Sequence, residues 1–533
     1  MASPDRLADA IRLLASGAWH EAELAARDAL AAMPDDSAAV LVLGLAIAAM
    51  GETVRAAPIL LRAAALRPDA EHPCVELGRL KPPLPRTLVA RQFRACLLSA
   101  RCDDRLRLAF AEFLLDTGQA AEAETILADG PDTAAAHHLS GLVRGEQAKF
   151  ASAIESFRRA VALNPDAAAS WSNLGMMLKV EGSFEAAREA HDRALALAPG
   201  DARFRVNRAV TLLKAGHWEE AWLDYEARFD LPGAPIVDRS RLMPSLRPND
   251  DLSGRTILAL HEDGFGDTLH FLRYLPLLAE RGARVVACVP ASLERVMRLV
   301  PGVAEVTTDQ RLLPAHDFVC PMFSLPRVFG TTVQSIPPVP ELVWDAALER
   351  KWGGRLPFAG LRVGLAWAGQ ARPSLAGFAA LDRRRSAGLA AFQPVLDVAG
   401  VSFVSLQAGP AGRQTRPPGL EMCDPMPEVT DFADTAAIIA GLDVVVSVDT
   451  SVVHLAGLVG KPVFLLDRYD GCWRWLSRRL DSPWYPGMTI FRQEKPDDWT
   501  DAMLDAAASL RAITLYRGYS SVTGGLREHA FVA

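Results

Sequence analysis

The sequence of 533 residues has little excess charge of either sign, since 57 lysines and arginines stand against 64 aspartates and glutamates. The formal net charge is -7 and the pI is near 5.9. Binding to a nucleic-acid backbone draws on a broad basic surface, so this balance argues against a nucleic acid as a partner. The sequence also lacks any run of roughly 18 uncharged apolar residues, the length that a membrane span requires. We therefore expect no membrane span.

Cysteine is scarce and shows no pattern. The seven cysteines, at positions 74, 96, 102, 288, 320, 423 and 472, form neither a C-x-x-C pair nor a histidine–cysteine cluster with zinc spacing. Residues 1–14 carry charged side chains and have no apolar core of the kind that marks a signal peptide. We therefore expect reduced thiols, no metal site, no cofactor and a cytoplasmic location.

What the first half of the sequence does have is self-similarity at a period of about 34 residues. Alanine recurs at this spacing at positions 22, 56 and 90, and again at 153, 187 and 221. The period is typical of tetratricopeptide repeats and predicts an all-α solenoid of about seven helix pairs over residues 3–235. Its concave face is suited to a peptide or a partner helix. The alternative is that the array only spaces or dimerises the rest of the chain.

The pattern changes after residue 235. A proline-rich stretch over 236–253 is predicted to be a linker. Short apolar runs then alternate with helices over 254–345 and again over 360–515, which predicts two α/β lobes with parallel sheets. Ligands of such sheets bind beyond the carboxyl ends of the strands. The residues that follow each apolar run are therefore the candidates for a functional site.

In the first lobe, a glycine loop follows the first apolar run and opens a helix. Gly264 and Gly266 leave room for a ligand to approach the backbone, and Asp267 comes directly after them. An aspartate at this place is also suited to cap the helix N-terminus. The spacing alone leaves both a catalytic and a structural role open for Asp267.

In the second lobe, the apolar run VVVSVD passes directly into a helix. Asp449 ends the run, Thr450 and Ser451 begin the helix, and His454 lies one turn further on. The free N–H groups and partial positive charge of a helix N-terminus suit a diphosphate. Asp449 is suited to a sugar or ribose hydroxyl, and Thr450 and Ser451 to phosphate oxygens. A capped helix with an internal histidine is the plainer alternative.

Further polar residues in the second lobe complete the candidate set. Lys461 follows the same helix, and Gln407 follows the apolar run VSFVSL. Arg383, Arg384 and Arg385 form a compact basic run, and arginine is suited to bidentate capture of phosphate. A solvated loop has the same composition, so a role in binding phosphate or acceptor is one of two interpretations.

Several longer segments occur together in one known family. The segments GDTLHFLRYLP, RVGLAWAG, SLQAG and DFADTAAIIAGLDVVVSVDTSVVHLAG lie in this order within residues 250–515. This region resembles the tetratricopeptide-linked bacterial glycosyltransferases related to the heptosyltransferases of lipopolysaccharide synthesis. The order of repeats and transferase also resembles, more loosely, the protein O-linked N-acetylglucosamine transferases. The resemblance implies a two-lobed GT-B fold and an inverting reaction without an obligatory metal, and the chain contains no D-x-D triplet.

The resemblance also implies roles for particular residues. It makes Asp267 the candidate base on the acceptor side, and Asp449, Thr450 and His454 part of the site for a nucleotide-sugar donor. The loop QARPSLAGFAAL departs from relatives, which carry polar histidine and asparagine there.

We therefore expect a glycosyltransferase whose repeats recruit a protein acceptor. The alternatives are a lipopolysaccharide or polysaccharide glycosyltransferase, and a non-catalytic repeat scaffold with a degenerate transferase domain.

Overall fold

The computed structural model describes residues 3–67, 86–97, 104–234, 237–357, 359–371 and 378–523. The chain divides into two compact units, residues 1–170 and 171–533. Cys74, Cys102 and residues 372–377, half of the divergent loop QARPSLAGFAAL, lie outside the described residues. No helix in the described ranges combines the length and the apolar character needed to cross a membrane.

The first unit consists of antiparallel helix pairs. Among the described residues its helices are α1 Ser3–Ala15, α2 Trp19–Ala32, α3 Ser37–Ala49, α4 Thr53–Leu66, α5 Arg86–Leu97, α6 Asp104–Asp116, α7 Ala120–Ala128, α8 Ala134–Glu146 and α9 Phe150–Leu163. Glycines lie where paired helices touch. A Cβ on Gly44 would come within 2.6 Å of Leu60, and one on Gly141 within 2.7 Å of the Phe157 ring. The predicted repeat fold, in which small residues bring two helices together, is confirmed.

The helix pairs continue into the second unit. They are α10 Ala168–Val180, which crosses the boundary, α11 Phe184–Leu197, α12 Ala202–Ala215 and α13 Trp218–Tyr225. Trp218 stacks on Trp484 with ring centroids 5.1 Å apart, and Trp222 meets Trp473 edge-on at 5.4 Å. The indole N–H of Trp222 donates to the carbonyl of Thr331 over 2.9 Å. The last helix pairs and the α/β region therefore share one hydrophobic core.

Two parallel sheets make up the rest of this unit. The first has the order β3-β2-β1-β4 and the second the order β10-β9-β8-β5-β6-β7. Their strands are β1 Thr256–Leu260, β2 Arg284–Cys288, β3 Val303–Thr307, β4 Phe318–Pro321, β5 Leu361–Ala366, β6 Val401–Ser405, β7 Met422–Cys423, β8 Val444–Val448, β9 Val463–Asp467 and β10 Met488–Arg492. All their pairings are parallel. The predicted two-lobed α/β fold is confirmed.

Helices connect these strands. They are α14 Phe265–Phe271, α15 Leu275–Glu280, α16 Glu294–Met297, α17 Leu325–Val328, α18 Ala346–Gly353, α19 Phe378–Arg384, α20 Gln393–Leu396, α21 Phe432–Ala440, α22 Ser451–Val459 and α23 Thr500–Thr523. The strand order reverses beside β1 in the first sheet and between β8 and β5 in the second. Ligands of open α/β sheets bind at such reversals, outside the carboxyl ends of the strands.

The segment before β1 lies against the first sheet. Its main chain donates from Met243 to the carbonyl of Val319 over 3.0 Å, and from Leu246 to that of Val328 over 2.7 Å. Met243 is buried in the core. Both donors lie within residues 236–253, which the sequence predicts as a linker, and the bonds hold Met243 against β4 and Leu246 against α17.

Candidate functional site

The carboxyl ends of β1 and β8 are each followed by a helix, and these two helices, α14 and α22, contact each other. Gly266 lies at this contact. A Cβ there would lie 3.0 Å from Cδ2 of His454 and 3.4 Å from Cα of Ser451. The structure therefore brings Gly266 of the first lobe together with Ser451 and His454 of the second, and a side chain at position 266 would crowd the two helix N-termini.

Asp267 lies in the first turn of α14, and both oxygens of its carboxylate accept hydrogen bonds. Oδ2 accepts from the main-chain N–H of Gly264 over 2.9 Å, which completes a helix cap. Oδ1 accepts from Nη2 of Arg474 over 2.5 Å. Burial raises the pKa of Asp267 above its usual value, and the positive charge of Arg474 offsets part of this increase. The carboxylate thus makes the structural cap and also faces the second lobe.

Arg474 is the main site residue that the sequence analysis missed. Its guanidinium lies over the Trp473 ring, 4.5 Å from the centroid, and donates to Sγ of Cys472 over 3.2 Å. Leu476 and Arg478, just beyond it, have φ values of +51° and +57°. Such left-handed conformations are unfavourable for non-glycine residues and tend to be found at functional sites. An arginine between two tryptophans in the run CWRWL was the signal in the sequence.

His454 is buried in the junction between the two lobes. Its Nδ1 lies 3.0 Å from the Tyr485 hydroxyl, and Nδ1 of His270 lies 3.3 Å from the same oxygen. Burial lowers the pKa of both histidines well below the usual value, so both rings are neutral near pH 7. The packing of α14 against α22 accounts for these contacts of His454. They agree with the plainer interpretation of the sequence, a capped helix with an internal histidine.

The N-terminus of α22 has the geometry predicted for it. Thr450 is the N-cap, and its Oγ1 accepts from the main-chain N–H of Val452 over 3.3 Å. Ser451 is the first helical residue and is half-buried. Asp449 is half-buried beyond β8, where its charge acts on Arg468 and Arg474. This terminus offers N–H groups and hydroxyls to an anion.

Gln407 uses its whole side-chain amide to hold the chain that leaves β5. Its Oε1 accepts from the main-chain N–H groups of Trp367 and Ala368, both over 2.8 Å. Its Nε2 donates to the carbonyls of Ala368 and Ala408, both over 3.0 Å. The described contacts make Gln407 a residue that positions the backbone at this edge of the sheet.

Arg384 and Arg385, in the basic run, form ion pairs. Arg384 lies 3.0 Å from Asp470, which follows β9, and Arg385 lies 2.8 Å from Asp382. Arg383 is exposed. Arg384 therefore lies with the residues that follow β9, at the carboxyl edge of the second sheet.

Lys461 is not brought together with the other candidates. Helix α22 runs back from the carboxyl edge of the sheet and ends at Gly460, so Lys461 lies at the amino edge, where β9 begins. The charges that act on it are those of Asp443, Arg362 and Glu349. This position follows from the parallel topology, in which each connecting helix returns the chain to the opposite edge.

Beneath the glycine loop, Glu262 forms a buried ion pair. Its oxygens accept from Arg228 over 2.9 and 3.1 Å and from the main-chain N–H of Phe323 over 2.7 Å. Arg228 comes from the segment after α13, so this pair fixes the last helix pair to β1. Within the described ranges, no group of three or more histidine, cysteine, aspartate or glutamate side chains is arranged to hold a metal ion.

Fold and site define the class of this protein: a tetratricopeptide-type array followed by a two-lobed α/β region of the GT-B type. No family model matches the chain. Protein FlbA of Caulobacter vibrioides is 28% identical over an alignment of 336 residues, and the match covers 57% of this chain and 54% of FlbA. The match therefore spans about half the length of that curated relative.

Solved structures are similar to each half of the chain. E. coli ADP-heptose lipopolysaccharide heptosyltransferase II is 13% identical, with a TM-score of 0.37, and the match covers 49% of this chain and 99% of that one. MamA is 20% identical, with a TM-score of 0.26 and coverage of 29% and 91%. PilF of Pseudomonas aeruginosa is 22% identical, with a TM-score of 0.31 and coverage of 37% and 93%.

Proposed function

We propose that the chain is a glycosyltransferase that moves a sugar from a nucleotide-sugar donor to an acceptor hydroxyl. The observation that carries this proposal is the junction of α14 and α22, where Gly266 lies against Ser451 and His454. Asp267 directly follows Gly266 in the chain, and the N-terminus of α22 is suited to a diphosphate, so this contact supports a site with a carboxylate on one side and a diphosphate on the other. An acceptor hydroxyl and a donor bound at these two places would meet.

On the acceptor side, Asp267 is the proposed general base. It removes the proton of the acceptor hydroxyl as the oxygen attacks the anomeric carbon, and the nucleoside diphosphate leaves with the electrons of the broken bond. Each carboxylate oxygen has two lone pairs, so the hydrogen bonds from Gly264 and Arg474 leave acceptor capacity on both. The pKa raised by burial makes the carboxylate a stronger base than an exposed aspartate.

On the donor side, Thr450 and Ser451 donate to the diphosphate and Asp449 accepts from a sugar or ribose hydroxyl. The dipole of α22 stabilises the charge that develops on the leaving group. Gln407 acts indirectly, because it fixes the backbone of Trp367 and Ala368 at the same edge of the sheet. We propose that the reaction inverts the anomeric carbon and needs no metal ion, with Arg384 among the contacts to phosphate.

For the acceptor, we propose a protein that the repeats recruit. The helix pairs of the first unit present the type of surface that binds peptides or helices in such arrays. A glycan acceptor is the second candidate, with the array bound to an assembly partner. A scaffold without activity is the third.

Turnover by the full chain tests the proposal. The purified protein is incubated with UDP-, ADP-, GDP- and dTDP-sugars, and the release of nucleoside diphosphate is measured. At least one donor should be cleaved, and cleavage should be lost in a variant with Asp449→Ala and Thr450→Ala. A folded protein that neither binds nor cleaves any of these donors would rule the proposal out.

Deletion of the first repeats separates recruitment from chemistry. The cut is best placed in the turn before α10, after residue 164, because the second unit begins within that helix. Without residues 1–164, we expect transfer to protein to be lost while slow donor hydrolysis persists. Unchanged transfer to a protein acceptor would contradict recruitment by this part of the array.

A further inference from the structure

Basic side chains from the last helix pairs reach the carboxyl edge of the second sheet. Nζ of Lys214, on α12, donates to the carbonyl of Cys472 over 2.9 Å. Lys179, on α10, interacts electrostatically with Asp470 and Arg468, which follow β9. Lys179 and Lys214 also act on each other. Both lysines belong to the second compact unit, so they are part of the same body as the sheet.

The nearby carboxylates are already paired with arginines. Asp470 accepts from Arg468 over 2.8 Å and lies 3.0 Å from Arg384. Asp467 accepts from Arg492 over 2.9 Å. By contrast, neither Lys179 nor Lys214 forms an ion pair with any of the residues that the structure describes. The two ammonium groups thus remain available to a ligand.

The local charge is unbalanced. Among the described residues the cluster has five cations and three carboxylates: Lys179, Lys214, Arg384, Arg468 and Arg492 against Asp449, Asp467 and Asp470. Positive charge that is partly withdrawn from water is stabilised by a counter-ion. A second sign of a ligand site is a cavity of about 230 Å³ that Lys214 lines together with Gly182, Leu476 and Arg478. The cavity therefore makes Lys214 accessible to a ligand, and an anion would balance the excess positive charge of the cluster.

We propose that Lys179 and Lys214 from the repeats, with Arg468, bind the diphosphate group of a nucleoside-diphosphate ligand. The location supports this ligand chemistry, because Asp449, which precedes the N-terminus of α22, belongs to the same cluster. The nucleoside part of the inference rests on the proposed function. The consequence is that the last helix pairs complete the donor site, so the repeats are part of the catalytic unit as well as a recruitment surface.

The test uses the full chain and two probes. Inorganic pyrophosphate and the nucleoside diphosphates UDP, ADP, GDP and dTDP are titrated calorimetrically into wild type, Lys179→Met and Lys214→Met. Methionine keeps the apolar stem and removes the charge. Hydrogen bonds to charged groups are strong enough that each substitution should weaken pyrophosphate about ten- to hundredfold. Lys149→Met is the matched control, a repeat lysine that pairs with Glu124 and should leave affinity unchanged.

Each outcome either supports or overturns the proposed anion site. Weakened binding in both variants, with melting temperatures near that of wild type and an unchanged control, supports the site. Wild-type affinity in Lys179→Met and Lys214→Met, equal loss in Lys149→Met, or no binding of pyrophosphate by the wild type overturns it. If the variants bind like wild type while the wild type cleaves a sugar nucleotide, this inference fails and the proposed function stands. If the variants lose pyrophosphate but no sugar nucleotide is ever cleaved, the anion site stands and the proposed function fails.

Discussion

Asp267 and Arg474 are 207 positions apart in the sequence, yet Nη2 of the arginine lies 2.5 Å from Oδ1 of the aspartate. The pair joins the first helix of one lobe to the loop after β9 in the other. Since Arg474 is buried, the carboxylate balances a charge that has little contact with water. The same aspartate is thus the proposed base, a helix cap and the partner of a buried cation.

The first prediction concerns Asp267→Asn. Asparagine can still cap the helix, but it cannot act as the base and it leaves Arg474 without its counter-charge. We expect turnover to fall by about a hundredfold or more, with an unfolding free energy lower by about 1–3 kcal/mol. Rates at saturating donor, nucleotide affinity and thermal melting check this.

Arg474→Met separates the two effects. It removes the ion pair and keeps the base, so it should lower stability while retaining more activity than Asp267→Asn. An Asp267→Asn protein with near-normal turnover would exclude Asp267 as the base.

The second prediction concerns pH. Burial lowers the pKa of Lys179 and of Lys214 to about 8. An anion binds the protonated lysines more tightly, so affinity for pyrophosphate should be full below that value and fall as the pH rises through about 8. The other ionisable groups that act on the lysines are Asp467, Asp470, Arg384, Arg468, Arg492 and Cys472.

Calorimetry at pH 7 and pH 9 measures this change. Because arginine does not titrate in this range, a variant with Lys179→Arg and Lys214→Arg should lose less affinity between the two pH values. Because pyrophosphate itself titrates equally in both experiments, its contribution cancels in the comparison between wild type and variant. Identical pH dependence of the affinity in wild type and variant would show that protonation of the two lysines does not affect the binding of pyrophosphate.

The third prediction concerns the contact between α14 and α22. In Gly266→Ala, the added Cβ would lie 3.0 Å from His454 and 3.4 Å from the main chain of Ser451, so the His454 ring or the helices must shift by a few tenths of an ångström. We expect a loss of about 1–3 kcal/mol in stability, as for other overpacked sites, together with reduced turnover. Gly353→Ala is the control, since its Cβ would meet no atom within 4 Å. Equal stability of the two variants, measured by denaturant unfolding, would contradict this close approach.

The fourth prediction concerns the core shared by the repeats and the sheets. Trp222 is buried between Trp218 and Trp473 and donates to the carbonyl of Thr331. Trp222→Ala should lower the unfolding free energy by about 3–5 kcal/mol. Trp19→Ala, at a partly exposed tryptophan of α2, should change it far less. Similar losses in the two variants would mean that α13 is not part of the core.

Local patterns in the sequence were enough to predict the fold and part of the site. The 34-residue period indicates that helices adjacent in the sequence pack against each other. The rule that ligands bind beyond the carboxyl ends of strands identified Asp267, Asp449 and Thr450 as candidates. Because α22 returns the chain to the amino edge of the sheet, the same rule predicts that Lys461, which follows α22, lies at the edge opposite the site. The run CWRWL draws attention to Arg474, but its pairing with Asp267 joins positions more than 200 residues apart, and no local pattern predicts such a pairing.

The lysines illustrate the same limit. Within the repeat period, Lys179 and Lys214 look like ordinary polar positions near the ends of helices. Their meeting with the loop after β9 depends on how α10 and α12 lie against the second lobe. That arrangement follows from the packing of Trp218 and Trp222, which the repeat pattern explains only as core residues of a helix pair.

The most direct test of the account is cleavage of a sugar nucleotide by the purified full-length protein. The release of nucleoside diphosphate from UDP-, ADP-, GDP- and dTDP-sugars is followed for wild type, Asp267→Asn and Lys149→Met. The account predicts release from at least one donor by the wild type. In Asp267→Asn the rate of release should fall by about a hundredfold or more, and in Lys149→Met it should equal the wild-type rate. No release from any donor by a folded protein that also fails to bind the nucleotides would contradict it.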